Sequence, residues 1–442
     1  MNSIEKTLDK IKTKNALIGI VGLGYVGLPL ALAFGSNNVR VMGFDIDDSV
    51  IESIEAGKSY IKHIRDEDIA RIKSDVGFEA TNDFSRISEV DVIIICVPTP
   101  LSKNREPDLG PVLNTGLSIM PHLQKGQLVV LESSTYPGTT DTELSTVLER
   151  SGLKKDQDFF LAYSPEREDP GNVSFSTSTI PKIIGADTPN ARKLAIAVYK
   201  DVISEIIPVA SSRTAEAIKL TENIFRSVNI ALVNELKVIF DAMEIDVWDV
   251  IDGAATKPFG FMPFYPGPGL GGHCIPIDPF YLSFKAREYD VPTRFIELAG
   301  EINTKMPQIV VNKTAEALSL HAKQALNGSK ILIIGLAYKK NVDDMRESPS
   351  LVLTELFEDQ GASVDYHDPY LPEIPHSREH DVLTGRKSVE LCPETISMFD
   401  AVLISTNHDG LDYQMLANEA KLIIDTRNAM KGISGQALVV KA

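Results

Sequence analysis

Cys274 lies in the glycine-rich stretch GPGLGGHCIPID, residues 267–278. Glycine-rich backbone lets a substrate come close and offers N–H groups to a developing oxyanion. A thiol there can act as a nucleophile if its pKa is lowered, but a free cysteine is often a small buried hydrophobe, so the loop alone leaves both interpretations open. Cys96 lies inside the apolar run VDVIIICV and is interpreted as a core residue, whereas Cys392 has no assigned role.

Three polar side chains recur along a predicted helix over 211–243. Lys219, Asn223 and Arg226 are spaced i, i+4 and i+7, which places them on one helical face. Spacing alone favours the solvated side of an amphipathic helix. The alternative is the wall of a cleft, where the ammonium would face an oxyanion, the amide would orient a substrate and the guanidinium would bind phosphate.

Polar residues also follow two predicted strands. Glu166 and Arg167 come after the strand at 159–163, and Thr135 comes after the strand at 127–132. The carboxyl end of a parallel strand faces the usual ligand crevice, although each residue could be an ordinary cap or turn residue. His273 is adjacent to Cys274, but neighbouring side chains seldom point the same way. His273 is therefore interpreted as a loop or substrate-contact residue rather than a base.

Gly22, Gly24 and Gly27 form a GxGxxG motif between an apolar strand and a helix. The first glycine makes a tight turn, the second admits a pyrophosphate and the third lets helix and strand pack closely. Phosphates would bind the free N–H groups at the helix N-terminus. Asp45 ends the next strand, where a carboxylate binds ribose hydroxyls and disfavours a 2′-phosphate. We predict NAD as the cofactor; the alternative is a glycine-rich turn without a ligand.

An alternation of apolar runs and amphipathic stretches positions these residues. It predicts a parallel sheet flanked by helices, then a helical segment, then a second α/β unit after residues 327–329. The predicted fold class is α/β, with two Rossmann-like doubly wound domains joined by a central helical domain. The predicted domains are 1–207, 208–326 and 327–442. The predicted strands are 17–21, 40–44, 90–97, 127–132, 159–163, 182–185, 330–335, 363–366, 401–405 and 422–425.

Charge and cysteine content exclude several protein classes. The 442 residues include 44 Lys and Arg against 61 Asp and Glu, a formal net charge of −17, which disfavours nucleic-acid and anionic-membrane partners. Three cysteines without a CxxC pair argue against a disulfide scaffold or zinc and favour a reducing cytoplasm. The uncharged run 16–35 is long enough for a membrane span, but its five glycines favour a strand, a turn and a helix.

Seven motifs resemble, in order, those of the nucleotide-sugar 6-dehydrogenases of the UDP-glucose, GDP-mannose and UDP-N-acetylhexosamine types, over about residues 14–435. The motifs are GLGYVGLPLA, VPTP, SSTYPG, SPER, EAIKLTEN, GPGLGGHC and GLAYKKNVDDMRESPS. The resemblance implies a four-electron oxidation of the sugar C6 alcohol to a carboxylate with two NAD in succession, for surface polysaccharide synthesis. It also implies a homodimer formed through the helical middle segment, or a higher homo-oligomer.

The resemblance implies roles for individual residues in the reaction. Cys274 would attack the aldehyde, and hydride loss from the thiohemiacetal would give a thioester that water hydrolyses. Lys219 would stabilise the oxyanions and Asn223 would orient the reacting sugar carbon. Asp278 and Thr135 would hold and activate the water.

A further set of implied residues binds the ligands, and one of them, Glu166, would also assist hydrolysis of the thioester. The substrate would contact Glu166, Arg167, Lys219, Asn223, Arg226, Gly271 and Lys339. The NAD would contact Gly22, Gly24, Tyr25, Val26, Gly27, Asp45, Thr99, Thr135 and Arg346.

Two departures bear on the substrate. Ile277 stands where UDP-glucose and GDP-mannose enzymes carry lysine, and EDPG follows Arg167 where they carry an FLREG-like run. GGHCIPIDP and SPEREDPGN resemble the branch that acts on UDP-N-acetylhexosamines, with the N-acetylglucosamine sugar favoured and N-acetylmannosamine second. A non-catalytic NAD-binding regulator of this fold would be expected to lack one of the proposed catalytic residues. An ordinary two-electron alcohol dehydrogenase would not require the cysteine.

Overall fold

The computed structural model describes residues 3–61, 64–102, 105–167, 178–272, 275–377 and 379–442. Cys274 and His273 lie outside these residues, so their predicted roles stay predictions. The chain forms two compact units, one of Met1–Asn223 with Phe280–Pro292 and the other of Ile224–Pro279 with Thr293–Ala442. The predicted three-domain division stays a prediction, while the α/β class with two Rossmann-like sheets and a helical middle segment is confirmed.

Within the described residues, the first unit contains an eight-stranded sheet of order β3-β2-β1-β4-β5-β6-β7-β8. Its central strands are buried on both faces and are therefore continuous apolar runs rather than alternating ones. The strands are β1 (Leu17–Val21), β2 (Arg40–Phe44), β3 (Glu79–Thr81), β4 (Val92–Ile95), β5 (Leu128–Leu131), β6 (Phe160–Tyr163), β7 (Lys182–Gly185) and β8 (Ile206–Val209). The helices are α1 (Ser3–Lys12), α2 (Gly27–Ser36), α3 (Asp48–Glu55), α4 (Asp66–Val76), α5 (Gly110–Ile119), α6 (Ser145–Leu148) and α7 (Pro189–Tyr199).

One strand of this sheet runs against its neighbour. β1 to β6 pair in parallel, but β7 pairs with β6 in the antiparallel sense, through Tyr163 opposite Gly185. The first residue of β7, Lys182, therefore lies at the edge where β4, β5 and β6 end. This reversal brings a lysine to the edge that carries the ligand-binding turns of such sheets.

The helical segment begins with α8 (Ser212–Ala242) and α9 (Val247–Ala255), followed by α10 (Asp278–Arg287) and α11 (Arg294–Ala317). The helix predicted over 211–243 matches α8 to within one residue at each end, and α9 follows it after a short break. Glu244 has a φ of 58°, and the Asp246 side chain accepts a hydrogen bond of 2.9 Å from Trp248 N to cap α9. A side-chain cap can start a new helix without glycine or proline, which is how α9 follows α8 so closely.

The second unit contains, in its described part, a five-stranded sheet of order β10-β9-β11-β12-β13. Its strands are β9 (Lys330–Ile334), β10 (Ser363–His367), β11 (Ala401–Ile404), β12 (Leu422–Asp425) and β13 (Leu438–Lys441), and its further helices are α12 (Pro349–Asp359), α13 (Pro393–Ser397) and α14 (Tyr413–Glu419). The predicted strands at 17–21, 40–44, 182–185 and 422–425 are confirmed without change. The strands missed by the sequence, β3, β8 and β13, all lie at sheet edges, where burial is incomplete and the apolar pattern is weak.

A buried carboxylate on α8 fixes the turn that follows β5. Glu216 accepts hydrogen bonds from Gly138 N at 2.7 Å, Thr140 N at 2.9 Å and the Thr140 hydroxyl at 2.7 Å. Gly138 has a φ of 107°, a conformation that favours glycine. Burial raises the pKa of Glu216 to about 7, although the three hydrogen bonds lower it. The turn that Glu216 holds follows directly after Thr135, one of the predicted site residues.

The raised pKa of Glu216 predicts a pH-dependent stability. A carboxyl whose folded pKa lies above its unfolded value stabilises the fold most when protonated, so its contribution is lost as the pH rises from about 4.5 to about 7. We expect the unfolding free energy of the wild type, relative to Glu216→Gln, to fall by about 3 kcal/mol over this range in urea titrations. Glu235→Gln, an exposed carboxylate of the same helix, is the control. A constant difference between wild type and Glu216→Gln would contradict this assignment.

Candidate functional site

The glycine turn between β1 and α2 has the three features that a dinucleotide requires. Gly22 has a φ of 89°, and a Cβ there would lie 2.8 Å from the Cys96 carbonyl oxygen. A Cβ at Gly27 would lie 1.9 Å from the Gly22 carbonyl oxygen, so only glycine lets α2 pack on β1. A Cβ at Gly24 would have no described atom within 4 Å, which leaves the backbone open to a pyrophosphate. The turn therefore fits NAD.

Asp45 is held at the end of β2 beside this turn. Its Oδ2 accepts a hydrogen bond of 2.8 Å from Leu23 N, and its Oδ1 accepts one of 3.0 Å from Asp47 N. The carboxylate is partly exposed and keeps further lone pairs for ribose hydroxyls. Tyr60, which the sequence did not single out, donates its hydroxyl to the Leu23 carbonyl oxygen and so supports the same turn.

The second sheet repeats part of this arrangement in a closed form. Gly335 follows β9 with a φ of 83°, and Leu336 N donates to Asp368 Oδ2 at 2.7 Å, as Leu23 N does to Asp45. Here the carboxylate is fully buried, and His408 Nε2 lies 3.1 Å from it. Asp368 cannot reach a ribose in this arrangement. The dinucleotide features are therefore complete in the first sheet and not in the second.

Threonines follow β4 and β5 at the same edge of the first sheet. Thr99 and Thr135 are both buried, and the Thr135 hydroxyl has no hydrogen-bond partner among the described residues. A buried hydroxyl without a partner is costly, so its position is consistent with a ligand or water at this point. Tyr25 is exposed and Val26 is partly buried at the start of α2.

Lys219 and Glu166 are brought together although 53 residues separate them. Lys219 Nζ donates to the backbone carbonyl oxygen of Glu166. Lys219 is 8% exposed and Asn223 is 5% exposed, whereas Arg226 is exposed. The solvated-face interpretation is therefore wrong for the first two residues and holds only for Arg226.

Arg167 is held on the protein rather than projecting freely. Its Nη2 lies 2.7 Å from Glu222 Oε1 on α8, and its Nη1 donates to the Pro181 carbonyl oxygen at 2.7 Å. The next residues of the SPEREDPGN motif, 168–172, lie outside the described part of the chain. The Glu166 side chain accepts a hydrogen bond of 2.7 Å from Arg167 N.

A buried charged cluster beneath Glu166 was not predicted. Lys182 Nζ lies 2.9 Å from Glu132 Oε2 and 3.8 Å from Glu166 Oε2. Burial disfavours the charge of Lys182, but the two carboxylates outweigh burial and raise its pKa. Cys96 is buried beside the cluster, and burial raises the pKa of its thiol, consistent with a core residue. Glu132 follows β5, so the strand-end rule used for Glu166 could have found it.

The second unit holds the backbone that leads into the cysteine. Gly272 N donates to the Arg346 carbonyl oxygen at 2.9 Å, and a Cβ at Gly271 would lie 2.5 Å from Tyr338 Cβ. Lys339, next to Tyr338, is partly exposed. The Arg346 guanidinium lies 2.6 Å from Asp344 Oδ2. Gly271 and Arg346 thus lie on adjoining loops, and only glycine fits at the first.

Two buried asparagines anchor the start of this loop. Asn234 on α8 accepts a hydrogen bond of 3.0 Å from Gly267 N and donates one of 2.9 Å to Asn303 Oδ1 on α11. Asn303 in turn donates to the Ser227 carbonyl oxygen at 3.1 Å. Asp278, the first residue of α10, is buried. The loop is therefore held at its start by α8 and α11, and it leads into α10 at Asp278.

The glycine geometry predicts opposite consequences for two alanine substitutions. Gly27→Ala places a Cβ against the Gly22 carbonyl oxygen and should cost about 3 kcal/mol of stability or more. Gly24→Ala meets open space and should change stability by no more than about 0.5 kcal/mol.

The same Gly24→Ala change should weaken NAD binding by about tenfold or more in calorimetric titrations, because the Cβ occupies the path of the pyrophosphate. Unchanged NAD affinity in folded Gly24→Ala would show that the pyrophosphate lies elsewhere.

Among the residues that the structure describes, none of the helices combines the length and hydrophobicity needed to cross a bilayer. The described residues also contain no group of three or more His, Cys, Asp or Glu side chains arranged to hold a metal ion.

Comparison with known proteins assigns the family. Three models of the UDP-glucose/GDP-mannose dehydrogenase family match: the NAD binding domain at residues 16–203, the central domain at 213–305 and the UDP binding domain at 332–432. The chain is 37% identical over 371 residues to UDP-N-acetyl-D-glucosamine 6-dehydrogenase of Pseudomonas aeruginosa, covering 84% of this chain and 86% of that protein. It is 35% identical over 409 residues to UDP-N-acetyl-D-mannosamine dehydrogenase of Escherichia coli K12, covering 89% and 94%.

A solved structure agrees with this assignment. The UDP-D-ManNAc dehydrogenase of Pyrococcus horikoshii superposes with a TM-score of 0.85 at 32% identity, covering 96% of this chain and 98% of that one. The predicted family, enzyme class and cofactor are confirmed. The chain therefore belongs to the UDP-glucose/GDP-mannose dehydrogenase family, the NAD-dependent nucleotide-sugar 6-dehydrogenases.

Proposed function

We propose that the chain oxidises the C6 alcohol of UDP-N-acetyl-D-glucosamine to the uronic acid through a thioester on Cys274. The observation that carries the proposal is the buried Lys219 ammonium, held by the backbone of Glu166 at the carboxyl edge of the first sheet. A buried cation at this edge suits a reaction in which a negative oxygen develops repeatedly. N-acetylglucosamine as the sugar is supported by the likeness to the Pseudomonas aeruginosa enzyme, and Ile277 disfavours UDP-glucose and GDP-mannose as substrates.

Each oxidation uses bound NAD, which accepts a hydride. In the first step Lys219 stabilises the developing alkoxide at C6, and Asn223, one helical turn along α8, orients the sugar. The Cys274 thiolate then adds to the aldehyde carbon, and the second oxidation gives the thioester. The thiohemiacetal formed by this addition retains the sugar on the enzyme between the two oxidations, so the aldehyde does not escape.

Hydrolysis completes the proposed reaction. Asp278 and the buried Thr135 hydroxyl would hold the water, and Glu166 would assist its attack on the thioester. Lys219 would again stabilise the oxyanion. Arg167, Arg226, Gly271 and Lys339 are proposed to bind the nucleotide sugar, and Arg346 is proposed to reach the NAD.

A second candidate substrate is UDP-N-acetyl-D-mannosamine. Relatives named for both sugars match this chain at similar identity, 37% for the Pseudomonas aeruginosa protein and 35% for the Escherichia coli protein. Both reactions need the same residues, because only the configuration at C2 differs. The substrate must therefore be decided by experiment.

Purified protein should be tested with NAD and a panel of UDP-N-acetylglucosamine, UDP-N-acetylmannosamine, UDP-glucose and GDP-mannose. We expect two NADH per UDP-N-acetylglucosamine, since the oxidation removes four electrons. Preference for UDP-N-acetylmannosamine would make that sugar the substrate instead of the proposed one. One NADH per sugar would indicate an ordinary alcohol dehydrogenase. Cys274→Ser is the control, and it should lose the complete reaction. An inert wild type that binds NAD would favour a non-catalytic regulator.

We also propose that the chain forms a homodimer in the cytoplasm. The cytoplasmic location is supported by the sparse cysteines. Phe225, Leu232 and Ile239 recur along α8 and Met243 follows its last residue; the four are 41–60% exposed and form an apolar stripe that a second copy would cover. Analytical ultracentrifugation should show a dimer in the wild type and a shift toward monomer in Leu232→Glu. A monomeric wild type would contradict the proposal.

A further inference from the structure

Lys182 reaches the carboxyl edge of the first sheet because β7 runs against β6. In a fully parallel sheet the first residue of a strand lies at the opposite edge, far from the ligand-binding turns. Here the Lys182 ammonium lies 3.8 Å from Glu166 Oε2. Both side chains also line one small pocket, together with Pro165 and Pro181.

Buried partners fix the Lys182 ammonium in place. Its Nζ donates to Glu132 Oε2 at 2.9 Å and lies 5.0 Å from the ring centroid of Tyr199. Tyr199 donates its hydroxyl to the other oxygen of Glu132. The Lys182 side chain is 5% exposed and that of Glu132 is fully buried, so neither can swing into solvent. The ammonium is consequently a rigid contact for Glu166.

The described cations near Glu166 contact different groups. Lys219 contacts the backbone carbonyl oxygen of Glu166, and Arg167 is paired with Glu222. The Lys182 ammonium forms an ion pair with the Glu166 carboxylate, at 3.8 Å. Removing it would leave that carboxylate close to buried Glu132 without the intervening charge.

We propose that Lys182 is a positioning residue that holds the Glu166 carboxylate in place for hydrolysis of the thioester. The inference rests on the proposed function. In that step a water oxygen bonds to the thioester carbon, and one water proton passes to the Glu166 carboxylate. The tetrahedral intermediate then breaks its C–S bond, whose electron pair returns to Cys274 as the thiolate. The released carboxylic acid loses its proton to solvent, and no electrons are exchanged.

A purely structural role for Lys182 makes a different prediction. A buried pair that only supports the sheet would, when removed, affect all steps through loss of folding or none of them. A positioning role affects hydrolysis alone, because neither hydride transfer uses the Glu166 carboxylate. The two roles therefore separate in a measurement that resolves the oxidations from the hydrolysis.

The test uses full-length protein, saturating NAD and whichever nucleotide sugar the wild type oxidises. Lys182→Met alone leaves buried Glu132 unpaired and could fail to fold, so the principal variant is Lys182→Met combined with Glu132→Gln. Lys182→Arg keeps the charge. Lys155→Met is the matched control, since Lys155 also lies 3.8 Å from a carboxylate, Asp187, but outside the proposed site.

Rapid-quench measurements should follow NADH and the mass of the protein. In the double variant we expect two NADH per subunit at the wild-type rate, then steady turnover slowed by about 10- to 100-fold. The quenched protein should carry the mass of the acyl group. Lys182→Arg should restore most of the steady turnover, and Lys155→Met should match the wild type.

Several results would overturn the inference. They are wild-type turnover without accumulated acyl-enzyme in the folded double variant, equal slowing of the burst and the steady rate, or failure of folded Lys182→Arg to recover turnover. Failure of the proposed function is seen separately, in the wild type. If the wild type forms no NADH with any nucleotide sugar, the proposed function and this inference both fall.

Discussion

The parallel arrangement of strands β1 to β6 in the first sheet is the constraint on which the site depends. Because parallel strands all end at one edge, residues distant in the chain are gathered there whatever their sequence separation. Gly22, Asp45, Thr99, Thr135 and Glu166 follow β1, β2, β4, β5 and β6 in turn. The register also explains the glycine spacing, since α2 must turn back directly over β1, where a Cβ at Gly27 would meet the Gly22 carbonyl oxygen.

Cations are concentrated locally at this edge, in a chain that is acidic as a whole. The formal net charge is −17, yet both proposed ligands are anionic. Lys182 and Lys219 are buried there, each held by groups of Glu166, while backbone N–H groups at the glycine turn are available to phosphates. A few cations at fixed positions can therefore face anionic ligands although the chain carries excess negative charge.

Much of the site could be predicted from local pattern. The glycine motif, its strand and Asp45 form one continuous segment, so their spacing contains most of the geometry. The two faces of α8 were harder to assign. Lys219 and Asn223 share a face by helical periodicity, but periodicity does not say whether that face meets solvent or protein, and burial contradicted the solvated interpretation. The turn at Asp368 in the second sheet is similar to the one at Asp45, yet the Asp368 carboxylate is buried and paired with His408.

The sequence by itself determined the α/β class, the cofactor turn and the helical spacing of Lys219 and Asn223, because these depend on periodicities of a few residues. Only the tertiary structure decided that β7 reverses, and with it that Lys182 stands between Glu132 and Glu166. It likewise decided that Glu216 bonds to the turn at Gly138, 78 residues away. Strand direction and long-range contacts arise from packing of the complete chain, and no local pattern of residue types encodes them.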